Sequence, residues 1–219
     1  LTGVQIRYFS ISDPYYFSHG CAEVVGSSYF YQESRTWDVL YGNLGGDFKR
    51  ADFGTGLTLT TLAPWGNANN CLGNLVSTAG NLYDATYSTA GALSFYKRNT
   101  TTGVITETRT VYPSNYTLYN RHQGTFDGLT AYYARQRTSD GLIELYSYSM
   151  GGLASTQLTL VTSLAPGTFT LDFIDADDGR VALGSGNGRV IVYDTGTHTS
   201  SAYNYGFNIY AMQILYVRN

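Results

Sequence analysis

Charge is scarce in this chain. Of its 219 residues, 13% are Asp, Glu, Lys or Arg, about half the usual share, and only Lys49 and Lys97 are lysines. With a formal net charge of −3 and no basic stripe, it lacks the electrostatic footprint that nucleic acid requires. No run of 18 apolar residues occurs, so no membrane span is expected. No segment sustains a 3.6-residue period, which argues against helices of any length. The three histidines, His19, His122 and His198, stand apart with no Cys or carboxylate at ligand spacing, so no transition-metal site is expected. A Gly-Lys-Ser/Thr loop, a dinucleotide fingerprint and a Gly-x-Ser-x-Gly elbow are all missing, and no cofactor is expected.

What is present is β structure. Alternating runs such as Leu142-Ile-Glu-Leu-Tyr-Ser-Tyr and Leu57-Thr-Leu-Thr-Thr-Leu are separated by Gly/Asn/Asp/Ser turns, for example Asp177-Asp178-Gly179. One strand signature, Gly-x-apolar-x-apolar-Tyr, recurs at Gly91–Tyr96, Gly141–Tyr146 and Gly188–Tyr193, with starts 50 and 47 residues apart. Each copy follows a partner run: Asn81–Tyr87, Leu129–Ala134 and Arg180–Gly184. A weaker fourth copy reads Ser28–Gln32, a turn at Glu33–Arg35, then Thr36–Tyr41. Hairpin repeats of this length predict a single all-β domain over residues 1–219, a β-propeller. We expect five blades, the first element (Gly3–Phe9) pairing with Ile209–Val217 to close the ring; four blades with added terminal strands is the alternative. The least repeat-like stretches, Gly42–Gly56, Ala63–Asn70 and Tyr112–Gly124, are expected to be loops on the two faces.

Cys21 and Cys71 stand one repeat apart, each before a hairpin strand, so equivalent places in neighbouring blades would let them pair. Such a disulfide would stabilise by roughly 3–4 kcal/mol in the chain-entropy model; the alternative is two buried thiols. Two sequons, Asn99-Thr-Thr and Asn115-Tyr-Thr, make Asn99 and Asn115 glycosylation candidates. Cysteine pairing, sequons and few lysines together point to a secreted, extracellular protein. The chain begins at Leu1 without methionine or a signal-like segment, and we expect a mature or trimmed product.

Chemistry is thinly marked. Asp172, Asp175, Asp177 and Asp178 form the densest acidic cluster, but without the alternate-residue spacing of a calcium loop. Asp172 and Glu23 are the carboxylates expected on innermost strands, where a glycoside hydrolase would need a facing pair. Trp65, among the amides of Ala63–Asn70, suits stacking on a sugar face or a plug between blades. Tyrosine is the strongest anomaly, 21 residues, clustered at Tyr15-Tyr16, Tyr29-Phe-Tyr31, Tyr132-Tyr133 and Tyr203-Asn-Tyr205. It gives binding surfaces a rigid apolar face with a polar tip, and equally fills strand faces of secreted β proteins.

Ile6–Phe9, Tyr29–Glu33, and Ala131–Tyr133 followed by Leu142–Tyr146 resemble blades of sugar-binding propeller lectins of the fungal fucose-binding type. That resemblance implies a sugar held by an Arg on one strand and a Glu on the next, beside an aromatic platform. Carried over, it designates Arg135 with Glu144, and Arg7 or Glu33 with Trp37. Ser94 and Ile191 occupy the place of Glu144 in the other clear repeats, so the ring of sites would be incomplete. Two functions compete: a non-catalytic carbohydrate-binding lectin, and a structural subunit of an extracellular assembly whose outward tyrosines touch neighbouring copies. A glycoside hydrolase is a minor third.

Overall fold

The computed structural model describes residues 17–25, 28–35, 46–53, 57–66, 70–71, 76–78, 80–87, 91–151, 158–165 and 167–209. These residues form four antiparallel sheets whose strands follow chain order, each a meander. Sheet 1 holds β1 (Phe17–Val25), β2 (Ser28–Arg35), β3 (Gly46–Phe53) and β4 (Leu57–Gly66). In sheet 2, β5 (Asn70–Cys71) and β6 (Val76–Thr78) both pair with the same strand, β7 (Asn81–Tyr87), followed by β8 (Leu93–Asn99) and β9 (Ile105–Val111). β5 and β6 together serve as its interrupted first strand. A short 3-10 turn, Tyr116–Leu118, leads into sheet 3: β10 (Tyr119–Asp127), β11 (Thr130–Arg137), β12 (Ile143–Ser149) and β13 (Thr159–Leu164). Sheet 4 holds β14 (Phe173–Asp177), β15 (Arg180–Gly184), β16 (Arg189–Asp194) and β17 (Thr199–Asn204).

Successive four-stranded meanders, packed face to face, have the construction of propeller blades. One core cluster joins Tyr83, Ala85, Leu93 and Phe95 of sheet 2 to Ala131, Tyr133, Tyr148 and Met150 of sheet 3 or its edge. Phe95 and Tyr148 stack across that boundary, ring centroids 4.0 Å apart. A second cluster joins the opposite face of sheet 3 (Tyr132, Ala134, Ile143, Leu145) to Val181, Leu183, Ile191 and Tyr193 of sheet 4. Sheet 3 is therefore covered on both faces, which is why β11 has buried residues at six successive positions. Each fully buried Leu, Ile or Phe here contributes about 1.5–3 kcal/mol.

The repeat signature is the third strand of its sheet and the partner run is the second. Its glycine lies in the hairpin before the strand, and all three copies have positive φ: 85° at Gly91, 72° at Gly141 and 89° at Gly188. A side chain there would also collide: a Cβ on Gly91 would come within 2.5 Å of the Tyr116 ring, and one on Gly188 within 2.2 Å of the Phe207 carbonyl oxygen. The glycine recurs because the turn demands it.

The weaker copy needs correcting. Glu33–Arg35 is not a turn: β2 runs on to Arg35 and pairs with Gly46–Phe53, from a stretch expected to be a loop. Ala63–Gly66 likewise belongs to β4 and Tyr119–Gly124 to β10. Irregular register hides these strands. Between Phe48 and Lys49 the partners jump from Ala63 to Thr61, and between Tyr119 and Arg121 from Arg137 to Gln136. One extra residue reverses the phase of the alternation, so a strict period of two misses the strand. Thr36–Tyr41 and the terminal segments expected to close the ring, residues 4–9 and 210–217, lie outside the described residues.

The first strands of sheets 3 and 4 lie side by side and are tied by polar bridges one repeat long. Arg121 Nη1 donates to Asp172 Oδ1 (3.1 Å), Thr125 Oγ1 to Asp175 Oδ1 (3.2 Å), and the Gly179 amide to Asp127 Oδ2 (2.7 Å). The Gly186 amide occupies the other oxygen of Asp172 at 2.8 Å. Asp178 and Gly179, both at positive φ, make the β14–β15 turn. The acidic cluster thus joins two sheets and shapes a hairpin.

Candidate functional site

Arg135 and Glu144 are directly opposite on β11 and β12, on the face of sheet 3 turned towards sheet 2. Nε and Nη2 of Arg135 both donate to Glu144 Oε2, at 2.9 and 2.7 Å. Nη2 also reaches the Tyr146 hydroxyl (3.0 Å), which in turn donates to Glu144 Oε2 at 2.7 Å. Nη1 donates to the Ser114 carbonyl, 2.7 Å away in the crossover from sheet 2. The guanidinium carbon lies over the Tyr119 ring, 3.8 Å from its centroid. Only 2% of the Arg135 side chain is exposed, against 16% for Glu144.

The electrostatics follow from that enclosure. Burial pushes the Glu144 carboxyl up, but hydrogen bonds from Tyr146, Arg135 and Tyr119 outweigh it and hold the group below its usual range. Burial, reinforced by the bond to Glu144, pushes the Tyr146 hydroxyl up to about 12. Glu144 is the one carboxylate of the cluster, and it is held ionised by its neighbours. Nε, Nη1 and Nη2 of Arg135 all donate within the protein, so the cluster acts as a clasp that fastens the 112–118 crossover to sheet 3.

Beside it runs an aromatic ladder. His122 stacks on Tyr87 (4.7 Å) and Tyr116 (5.0 Å), and its Nδ1 lies 2.7 Å from the Tyr133 hydroxyl. Tyr87 and Tyr116 share a hydroxyl–hydroxyl bond. Burial lowers the His122 pKa, favouring the neutral ring, whose Nδ1 shares a hydrogen bond with the Tyr133 hydroxyl. Tyr116 seats over Gly91 of the β7–β8 turn, so the ladder holds the crossover at a second point.

Among the described residues of sheets 2 and 4, neither arrangement recurs. Three residues after each signature glycine stand Ser94, Glu144 and Ile191; opposite them stand Thr86, Arg135 and Leu183. Sheet 2 instead carries a different buried pair, Arg98 Nε to Asp84 Oδ2 at 2.5 Å. The sequence offered one signal for that pair, an aspartate in the middle of a strand run that is otherwise apolar or neutral, Leu82-Tyr-Asp-Ala-Thr86. Tyr119 and Ser114 carried no signal, because each belongs to a segment expected to be a loop.

Of the other expected ligand residues, Arg7 and Trp37 lie outside the described residues. Glu33 sits on β2 opposite His19 and Asp47, and Trp65 at a register irregularity on β4, their side chains outside what is described. Cys21 lies on β1 and Cys71 on β5, first strands of neighbouring sheets that run beside one another. Asn99 ends β8 in an exposed turn, its Oδ1 accepting from the Thr101 and Thr102 amides at 2.8 and 3.0 Å. Asn115 is exposed in the crossover at φ 55°. Of the expected ligand residues whose side chains are described, Arg135 and Glu144 are brought together.

The chain matches no protein-family model and no curated protein. Solved structures share its architecture at low identity. An oligogalacturonate lyase solved with manganese is 13% identical, with a TM-score of 0.53 over 80% of this chain and 49% of its own. A protein of unknown function from Bacteroides caccae is 10% identical, with a TM-score of 0.52 over 91% and 65%. The β-propeller domain of Myceliophteria thermophila Cps50 (Swd1) is 14% identical, at 0.49 over 84% and 58%. The likeness is one of fold alone, and the chain spans between 49% and 65% of the length of these structures.

Proposed function

We propose that this chain is a non-catalytic, extracellular propeller-type module that works as a subunit of an assembly, in contact with neighbouring copies. The observation that carries this reading is the inequivalence of the sheets. A multivalent lectin keeps the residues of each site, whereas here the Arg135–Glu144 position becomes Thr86–Ser94 in sheet 2 and Leu183–Ile191 in sheet 4. Among the described side chains, the Arg135–Glu144 pair available for a sugar is engaged by Ser114, Tyr119 and Tyr146. Asymmetric surfaces with few charges suit close contact between subunits. Light scattering over a concentration series tests the reading: mass rising with concentration supports it, and a monomer at every concentration ends it.

A lectin is the second reading, favoured by exposed rings beside amides: Tyr112 at 74% exposure, and Tyr205 and Phe207, 5.8 Å apart, next to Asn204 and Asn208. Saturable signals on a glycan array from a monomeric protein would replace the first reading with this one.

Secretion, a Cys21–Cys71 disulfide and a glycan at Asn99 belong to the same proposal. They draw support from the adjacency of β1 and β5 and from the exposure of both sequons. Intact mass before and after reduction and deglycosylation is the check; two free thiols and an unmodified mass would overturn all three. The proposed closure into five blades draws on the far face of sheet 4. Ala182 and Val190 point away from sheet 3 yet are 2% and 6% exposed, so that face is covered too. Hydrogen exchange that is fast throughout residues 4–9 would refute the closure.

A further inference from the structure

Each sheet ends in an outer strand, and an outer strand is a template for another chain unless something blunts it. Three of the four are blunted. β4 carries Pro64 and lies across two register irregularities; β9 carries Glu107 and Arg109 and one irregularity; β13 pairs through an irregularity at Leu145–Tyr146. β17 has none of these devices. It reads Thr199-Ser-Ser-Ala-Tyr-Asn204, without charge or proline, pairs with β16 in unbroken register, and is exposed at every position.

The direction of its free backbone groups can be fixed. The Tyr205 amide donates to the Gly188 carbonyl, 3.0 Å away, on the same antiparallel diagonal as the β16–β17 pairs. Hydrogen-bonded and non-bonded pairs alternate along such a ladder, so Tyr203, Ser201 and Thr199 bond inwards to β16. Ser200, Ala202 and Asn204 then turn their N–H and C=O groups outwards, where no described strand meets them.

From this the geometry points to β17 as a strand-addition edge that pairs antiparallel with β17 of a second copy, about a two-fold axis at Ala202. The inference rests on the assembly reading above and names its contact. The sequence of the strand is complementary to itself in that register. Ala202 meets Ala202, Ser200 meets Asn204, and on the other face each Tyr203 ring lies across the small Ser201 of its partner. No like charges and no two bulky side chains are opposed, and every outward backbone group finds a partner. The exposed Tyr203, Tyr205 and Phe207 rings extend the contact beyond the strands themselves. Six residues of strand are short, so the dimer is expected to be weak and concentration-dependent.

Ala202→Pro removes an outward N–H without touching the β16 ladder, a change that edge strands tolerate. It should raise the dimer dissociation constant at least tenfold in sedimentation velocity while leaving the melting temperature close to that of the parent. Ala202→Lys and Ala202→Glu place like charges face to face and should each be monomeric; mixed, they should recover a heterodimer. That charge-swap recovery decides the matter even if the proline variant folds poorly. Association by the parent that all three variants retain, or a Lys/Glu mixture that stays monomeric, would overturn β17 as the contact and leave the assembly reading standing. A parent that never associates would overturn both.

Discussion

Asp84 and Arg98 form an ion pair almost wholly withdrawn from water, Nε 2.5 Å from Oδ2, and Asp84 Oδ1 has no hydrogen-bond partner. The pair lies within sheet 2, and Arg98 Nη1 also donates to the Gly103 carbonyl at 3.2 Å. Burial dominates over the pull of Arg98 and pushes the Asp84 carboxyl up to about 6, from 3.8. The folded state therefore binds this proton more tightly than the unfolded chain does. Its stabilising contribution is fully present below about pH 4 and is lost as the pH rises through about 6, a swing of roughly 3 kcal/mol. Asp84→Asn has no such titration. Urea denaturation at pH 4, 5.5 and 7 should show the parent gaining stability relative to Asp84→Asn as the pH falls, with the change at His122 cancelling between the two; parallel curves would refute the shift.

The turn glycines differ in what they protect. At Gly128, φ is 54° and a Cβ would meet nothing within 4 Å, so Gly128→Ala should cost only the left-handed backbone penalty, about 1–2 kcal/mol. At Gly188 the same penalty is joined by a 2.2 Å collision with the Phe207 carbonyl oxygen. Gly188→Ala should cost more than twice as much and loosen residues 205–209. Paired denaturation curves make the comparison; equal losses would mean that the segment simply yields.

Removing Arg135 strands Glu144 in a mostly dry site. Arg135→Met should destabilise by about 3–5 kcal/mol, whereas Glu144→Gln, which keeps hydrogen-bonding atoms in place, should cost less than half of that. Loss of the Ser114 anchor should also speed hydrogen exchange in residues 112–118 in the Met variant alone. If Arg135→Met is nearly neutral in stability yet abolishes glycan binding, the pair is a ligand site and not a clasp.

Gln136 joins sheet 3 to the entry of sheet 4 by two bonds. Its Nε2 donates to the Phe169 carbonyl at 2.7 Å, and its Oε1 accepts from the Leu171 amide at 2.9 Å. Both backbone groups are stranded by Gln136→Leu, which should cost about 2–4 kcal/mol despite adding apolar volume. Gln136→Glu turns a carboxylate oxygen towards the Phe169 and Gly141 carbonyls and should cost at least as much as Leu near neutral pH. Thermal denaturation near neutral pH with the parent well above both variants is the expected outcome, and a Glu variant that melts with the parent would refute it.

Much of the fold was legible because strand pairing is a local matter. β7 and β15 match the partner runs at both ends, and the recurring glycine, required by a positive φ in each hairpin, made the repeat visible. Legibility failed where register slips. β3, the end of β4 and the start of β10 were hidden by extra residues that break the alternation. At the site, the opposition of Arg135 and Glu144 followed from hairpin register, and so did the absence of its equivalents at Ser94 and Ile191.

Residue spacing alone implies a chain of hairpins repeated about every 50 residues, with the glycines that turn them and an Arg facing a Glu in one of them. What those pieces do depends on how the sheets pack. Packing brings Ser114 and Tyr119 onto Arg135, seals Asp84 and Arg98 from water, and leaves β17, among the described residues, as the outer strand without a charge, a proline or a register slip. The difference is one of range. A strand's alternation and its turns are set by neighbouring residues, whereas burial, and with it the meaning of a charge or an open edge, is set by whichever sheet packs across from it.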